Sequence, residues 1–258
     1  MESRHTVSRD PADAGADFDR LRNDFTRFMM SYKFGIDELM TKINILKEEF
    51  THIHRYSPIE HVGSRLKTPE SIVAKARRKE CPLTLDDIRT NIVDIAGIRI
   101  TCSFISDTYR IADMLSGQTD VKVLEVKDYI AEPKPNGYKS LHLIVEIPVF
   151  MSDRVQPVPV ELQIRTIAMD FWASLEHKIF YKYGGTIPAP LLDELKDAAD
   201  SANRLDVTME RLHDEVAEIK SGRDASAESI HLDSMPPLAL PRELLMSILE
   251  AGNIARPL

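Results

Sequence analysis

The 258-residue sequence predicts an α+β fold, a mixed sheet of about five strands flanked by long N- and C-terminal helices. Three observations carry this reading. Apolar residues recur at steps of three and four from Phe18 through Leu21, Phe25, Phe28, Tyr32, Ile36, Leu39, Ile43 and Leu46 to Phe50, the spacing of one helix face. A second stripe, Leu191, Leu195, Ala198, Ala202, Leu205, Met209, Leu212, Val216 and Ile219, repeats over about four heptads. Between the two stripes lie short β-branched runs separated by Pro, Gly and Asp, the pattern of strands and their connections.

Taken in order, residues 1–15 are polar and are expected to be disordered, and the first helix is expected to break near Gly35. Ile59–Lys67 reads as a short strand. Thr68-Pro69-Glu70 opens a helix that ends before Pro82, because Pro suits a first turn and an acid suits the positive helix end. Ile95–Phe104 is a strand, and Ser106-Asp107 caps a helix reaching about Leu115. Val121–Val126, Ser140–Val149 and Val158–Arg165 are further strands, the last two joined as a hairpin. Thr166 caps a helix over Ala168–Tyr181. One domain with its flanking helices therefore spans residues 16–220, and 221–258 reads as a linker followed by a short helix at about 241–251.

Composition narrows the function classes. Hydrophobic content of 43% supports a substantial core, and no apolar run is long enough for a membrane span. The N-terminus lacks the apolar core of a secretion signal, and Cys81 and Cys102 form neither a CxxC pair nor a disulfide framework. A cytoplasmic protein with two reduced, buried thiols is expected. The net charge of −8 argues against a dedicated duplex binder. Basic residues nonetheless cluster in RLKTPESIVAKARRK and KDYIAEPKPNGYK, and local cationic pockets in an acidic body suit a small polyphosphate.

Four segments carry chemistry. In VELQIRT, strand alternation puts Glu161, Gln163 and Arg165 on one face and Val160, Leu162 and Ile164 on the other. In VDIAGIRI, Asp94 stands at the start of a strand and Arg99 within it, and a carboxylate there suits Mg²⁺, which takes one or two carboxylates plus phosphate oxygens. In GSRLKTPES, Arg65 and Lys67 share a strand face, Ser71 follows at a helix start, and Lys75, Arg77 and Arg78 lie on that helix. Cations beside a helix N-terminus make a phosphate cradle. In KDYIAEPKPNGYKSLH, two prolines and a glycine set a loop from which Tyr138 and His142 emerge, with Lys134 and Asn136 alongside. The ring can stack on a base and the polar groups can bond its edge.

Read together, SRLKTPESI, DIAGIRITCSF, KDYIAEPKPNGYKSLHLIVEIPVF and VELQIRTIAMDFWASLEHKIFYKY resemble, in this order, the small alarmone synthetases, single-domain relatives of the Rel-type (p)ppGpp synthetases. The resemblance covers roughly residues 20–215. It implies a nucleotidyltransferase-like synthetase fold and a pyrophosphokinase of the stringent response, moving pyrophosphate from ATP to the ribose 3′-hydroxyl of GTP, GDP or GMP. Asp94 and Glu161 would be the catalytic carboxylates and would hold Mg²⁺, with Glu161 orienting or deprotonating the hydroxyl. Arg65, Lys67, Ser71, Lys75, Arg78 and Arg99 would bind ATP. Lys134, Asn136, Tyr138, His142, Gln163 and Arg165 would bind the guanine nucleotide. A homotetramer is implied too. Some members of the family are activated by their product and others silenced by RNA or zinc, and no motif here assigns this chain to either behaviour.

Other features read as structural. Phe171 and Trp172 fit a packed helix better than a cofactor box, and Glu176-His177 lacks a second His at metal spacing. His213-Asp214 is a lone dipeptide, and only 62 residues precede GSRLKTPES, the first motif, so no hydrolase activity is expected. Two alternatives remain: a toxin-like nucleotidyl- or pyrophosphotransferase acting on adenine nucleotides or tRNA 3′ ends, and a non-catalytic nucleotide-sensing or RNA-binding module.

Overall fold

The computed structural model describes residues 11–53, 56–183 and 188–224. Among these described residues, six helices and five strands run in the order α1 (Pro11–Ile53), β1 (Ile59–Leu66), α2 (Pro69–Arg78), α3 (Leu85–Asn91), β2 (Ala96–Cys102), α4 (Ile105–Ser116), β3 (Lys122–Asp128), β4 (Leu141–Phe150), β5 (Val155–Thr166), α5 (Ile167–Tyr183) and α6 (Ala189–Asp224). The five strands form one sheet in the order β1-β2-β5-β4-β3. Only the central β2–β5 pair is parallel, and the other three pairs are antiparallel.

The pattern of α1 explains its place. Phe28, Tyr32, Ile36, Leu39, Ile43 and Phe50 are buried against the sheet, so its apolar stripe forms the main core within the chain. The helix is not broken at Gly35. A β-carbon there would stand 2.8 Å from Val158 Cγ1, so the glycine lets α1 approach β5 closely. Helix α1 also begins at Pro11, which corrects the expectation of disorder to residue 15; residues 1–10 and the expected helix at 241–251 lie outside the described residues. Leu143, Val145, Ile147, Val160, Leu162 and Ile164 face this core, and α4 joins it through Ile111 and Leu115.

Caps follow the sequence closely. The Thr68 side chain accepts from Ser71 N at 3.3 Å, and Thr166 Oγ1 accepts from Met169 N at 3.1 Å. In α4 the cap position is Phe104 rather than Ser106, and Asp107 at the third helical position reaches back to the Phe104 N–H at 3.3 Å. The short helix α3, with Thr84 as its cap, has no counterpart in the sequence reading because seven residues give too little periodicity. Cys102 is buried, and burial pushes its thiol up, whereas Cys81 is only partly covered, contrary to expectation.

A second, smaller cluster joins Trp172 and Ala173 of α5 to Ala199 of α6, with Tyr138 packed against it. Trp172 Nε1 donates to Leu195 O at 2.9 Å, so the indole is structural as expected; Phe171, at 65% exposure, is not packed. Chain contacts divide the molecule after His213, and the described part of the second unit is the last turns of α6. No helix among the described residues is long and apolar enough to cross a membrane.

Candidate active site

The face of the sheet opposite α1 gathers the polar side chains. Glu161 pairs across the ladder with Gly97 and Ile144, and Gln163 with Arg99 and His142, so strand register alone brings residues from β2, β4 and β5 side by side. β1 adds Arg65 opposite Gly97, where a β-carbon would come within 3.4 Å of Arg65 Nε; the glycine leaves space for the guanidinium. A cleft of about 290 Å³ opens here, lined by Arg65, Gly97, Arg99, Glu161, Gln163 and Asp170 among others.

One end of this face is cationic. Lys67, just past the end of β1, is anchored by its N–H to Ile95 O at 2.8 Å. Its Nζ lies 2.8 Å from Asp94 Oδ2, and Lys75 Nζ of α2 lies 2.5 Å from the same oxygen. Burial would raise the Asp94 pKa, but the hydrogen bonds and charges of the two lysines outweigh it, and the carboxyl lies below its ordinary value. Burial and the neighbouring cations Lys75 and Arg65 in turn pull Lys67 down despite its bond to Asp94. Ser71, Lys75 and Arg78 are spaced four and three apart and share one face of α2, with Arg78 exposed.

The other end is aromatic. The loop after β3 begins with Asp128 Oδ1 accepting from Ile130 N and Ala131 N at 2.9 and 3.0 Å. A tight turn follows, Gly137 N to Lys134 O at 2.8 Å, with Gly137 at φ +88°. A β-carbon at Gly137 would meet Ala199 Cβ at 2.5 Å, so only glycine lets this turn lie against α6. Asn136 turns inward: its Oδ1 accepts from Tyr138 N at 3.2 Å and its Nδ2 donates to Glu176 Oε1 at 3.1 Å. Lys134 Nζ sits 4.6 and 4.7 Å from the ring centres of Tyr129 and Tyr138.

Glu161 lies between the two ends. Its Oε2 accepts from Gln163 Nε2 at 2.8 Å and stands 3.8 Å from Arg65 Nη2, while Oε1 stands 3.5 Å from His142 Nδ1. Burial raises its pKa, but His142 and Gln163 together hold it below the ordinary value. It is therefore ionised near neutral pH and able to accept a proton.

Strand register puts Arg65, Arg99, His142, Glu161, Gln163 and Arg165 on this face, but Arg165 and the loop residue Asn136 have other surroundings than anticipated. Arg165 is 4% exposed and its guanidinium is spent on protein partners: Nη2 on Tyr138 Oη at 2.5 Å and Gln163 Oε1 at 2.8 Å, Nη1 on Asp170 Oδ1 at 3.2 Å. Asn136 likewise braces the loop. The sequence reading missed Tyr129, Glu176 and Asp170. Tyr129 stood within the quoted loop; Asp170 stood four residues past the cap Thr166, on the helix turn nearest the strand ends, which is the signal that could have found it.

The residues fit a magnesium ion held mainly by a substrate's phosphates. Asp94 Oδ1 is buried with no hydrogen-bond partner among the described residues, while Oδ2 takes both lysines, leaving one anionic oxygen for the metal. Among the described residues no three His, Cys, Asp or Glu side chains converge, so a cage built from protein alone is absent there.

A cationic cradle and an aromatic loop facing each other across a partly buried carboxylate define an enzyme that handles nucleotides. The model of the region found in RelA/SpoT proteins matches residues 64–186. The chain is 50% identical over 200 residues to the GTP pyrophosphokinase YwaC of Bacillus subtilis, covering 78% of this chain and 95% of that one. The crystal structure of small alarmone synthetase 2 from B. subtilis superposes with a TM-score of 0.69 at 50% identity, covering 74% of this chain and 99% of the other. Small alarmone synthetase 1 from B. subtilis, bound to its product pppGpp, superposes with a TM-score of 0.70 at 40% identity, covering 75% and 98%. The chain belongs to the RelA/SpoT family, and within it to the small alarmone synthetases.

Proposed function

We propose that this chain transfers the β,γ-pyrophosphate of ATP to the ribose 3′-hydroxyl of a guanine nucleotide, GTP, GDP or GMP, releasing AMP. The single observation that carries this reading is the place of Glu161, within 3.8 Å of donor-side Arg65 and 3.5 Å of acceptor-side His142. A carboxylate between a polyphosphate cradle and a base-stacking loop is where an acceptor hydroxyl must lose its proton.

The 3′-oxygen forms a bond to the β-phosphorus, the bond from that phosphorus to the α,β-bridging oxygen breaks, and AMP leaves with the electron pair. Glu161 orients the hydroxyl and takes its proton; Gln163 and His142 hold the carboxylate in place. Arg65, Lys67, Ser71, Lys75, Arg78 and Arg99 grip ATP, and little else is needed, since such transfers depend on positioning and charge neutralisation. Asp94 and Glu161 are the residues that would hold Mg²⁺, which when bound supplies part of that neutralisation. Tyr138 stacks on guanine, with Lys134 and His142 beside it; Asn136 and Arg165 shape the acceptor site from behind.

A homotetramer completes the reading. The α1 stripe is consumed inside the subunit, so it gives no support. The α6 stripe does: Leu205, Met209 and Leu212 are exposed, and the first two, with Ile167, Phe171 and Leu175 of α5, border an open apolar groove of about 850 Å³. Apolar faces of this extent call for a covering surface.

Incubation with labelled ATP, Mg²⁺ and GMP, GDP, GTP or tRNA, with the products resolved, tests the function. Labelled guanine nucleotide supports it; label on tRNA or an adenine nucleotide alone, or no transfer, overturns it.

A further inference from the structure

Asp170, in the first turn of α5, has no place in the transfer described above, yet it stands where the two halves of the site meet. Its Oδ1 lies 3.2 Å from Arg99 Nη1 and 3.2 Å from Arg165 Nη1, so a single carboxylate oxygen receives two guanidinium groups. The two arginines serve different ends. Arg99 projects from β2 into the cleft shared with Arg65 and is part of the proposed ATP cradle. Arg165 never reaches the cleft but places two acceptor-side groups, donating to Tyr138 Oη at 2.5 Å and to Gln163 Oε1 at 2.8 Å. Gln163 then donates to Glu161 Oε2 at 2.8 Å.

We propose that Asp170 is a positioning residue that sets the donor and acceptor halves of the site in register, by holding Arg99 and Arg165 on one oxygen. The proposal rests on the pyrophosphate-transfer reading and deepens it. The chemistry is specific to a carboxylate. Two like charges brought to one point repel, and only an anion between them makes the arrangement favourable. Arg165 is buried, so it needs a counter-charge close by, and Asp170 is the carboxylate in contact with it. Arg99 is partly exposed, so without Asp170 it would swing toward solvent. Its Nε is already buried without a hydrogen-bond partner, which leaves the contact to Asp170 as the anchor of that guanidinium. The helix supports the same arrangement: Thr166 caps α5 through Met169 N, and a first-turn acid is favoured by the helix dipole, so Asp170 is held before substrate arrives.

The test is steady-state kinetics of Asp170→Asn with ATP and GDP varied in turn, beside Asp170→Glu and the wild type, with circular dichroism and thermal melting of each. Asp170→Asn is expected to raise KM for ATP and KM for GDP together, each about tenfold, with a smaller fall in kcat. Asp170→Glu, which keeps the charge but displaces it, raises both by a lesser factor. A change in one KM alone, or a fall in kcat with both KM values unchanged, overturns the proposal, the latter being what a purely structural role would produce. Should Asp170→Asn fail to fold, Asp170→Glu decides: wild-type values for both nucleotides reduce Asp170 to a structural counter-charge and overturn the proposal. An inactive wild type is a different failure, since it sinks the transfer reading itself and this inference with it.

Discussion

The hydroxyl of Tyr138 lies 2.8 Å from Nε2 of His142, and the other ring nitrogen of that histidine faces Glu161 at 3.5 Å. The aromatic platform of the acceptor loop and the carboxylate of the transfer step are thus linked through one imidazole. Arg165 donates to the same Tyr138 hydroxyl, and Lys134 Nζ lies 4.7 Å from the ring centre, so the ring is fixed in place within the loop.

Tyr138→Ala is therefore expected to raise KM for the guanine nucleotide about tenfold to hundredfold, the effect of losing one base stack, with KM for ATP changed far less. Tyr138→Phe keeps the ring but not the hydroxyl and should fall between. Initial rates with each nucleotide varied separately check this; equal changes in both constants would make Tyr138 a folding residue.

Asp94→Asn is expected to shift the Mg²⁺ dependence of the rate to higher concentration and lower its maximum, because an amide supplies an oxygen without the charge. The substitution also frees Lys67 and Lys75 from their shared partner. A magnesium titration at fixed ATP decides, and an unchanged curve would place the metal elsewhere.

Asp94 and Asp206 have opposite linkage. Asp94 is depressed, so its contribution is present above the ordinary carboxylate value and is lost as pH falls through its lower folded value. Asp206 is raised, by burial first and by Glu210, against the hydrogen bond from Thr166 and the charge of Lys139. A raised acid contributes fully below its unfolded value and loses that contribution as pH rises through the folded one. Asp206→Asn should therefore melt no lower than wild type at pH 7, with its relative stability decreasing toward acid, while Asp94→Asn shows the reverse trend. Melting curves from pH 7 down to about 4 test both signs. A deficit of Asp206→Asn that is larger at pH 7 than at acid pH would contradict this.

Much of this site was legible in the sequence because strand periodicity is rigid. Alternation in VELQIRT places Glu161, Gln163 and Arg165 on one face, and the sheet shows that face. Depth was not legible: nothing in the alternation says that Arg165 is buried and tied to Asp170, since burial there is set by α5 folding back over the end of β5. Gly35 looked like a helix breaker because its local propensity is poor. The reason for the glycine is long-range, the approach of Val158. The stripe of α1 gave no clue whether the sheet or another subunit would cover it.

Light scattering at micromolar concentration is expected to give a mass near four times the 29.3 kDa of one chain. Leu205→Glu and Leu212→Glu put charges on the exposed α6 stripe and should lower that mass. A monomer would refute the assembly, and an undiminished mass in both variants would move the contact off α6.

The most direct test of the central claim compares wild type with Glu161→Gln in a reaction of ATP, Mg²⁺ and GDP, measuring AMP and the 3′-modified guanine nucleotide together. Wild type should form the two in equal amounts, each new nucleotide carrying both the β- and γ-phosphates of ATP. Glu161→Gln should slow both about 10²- to 10⁴-fold while its affinity for ATP stays nearly intact. Release of ADP in place of AMP, or a Glu161→Gln rate within about threefold of wild type, would contradict the account, since that substitution removes the proton acceptor.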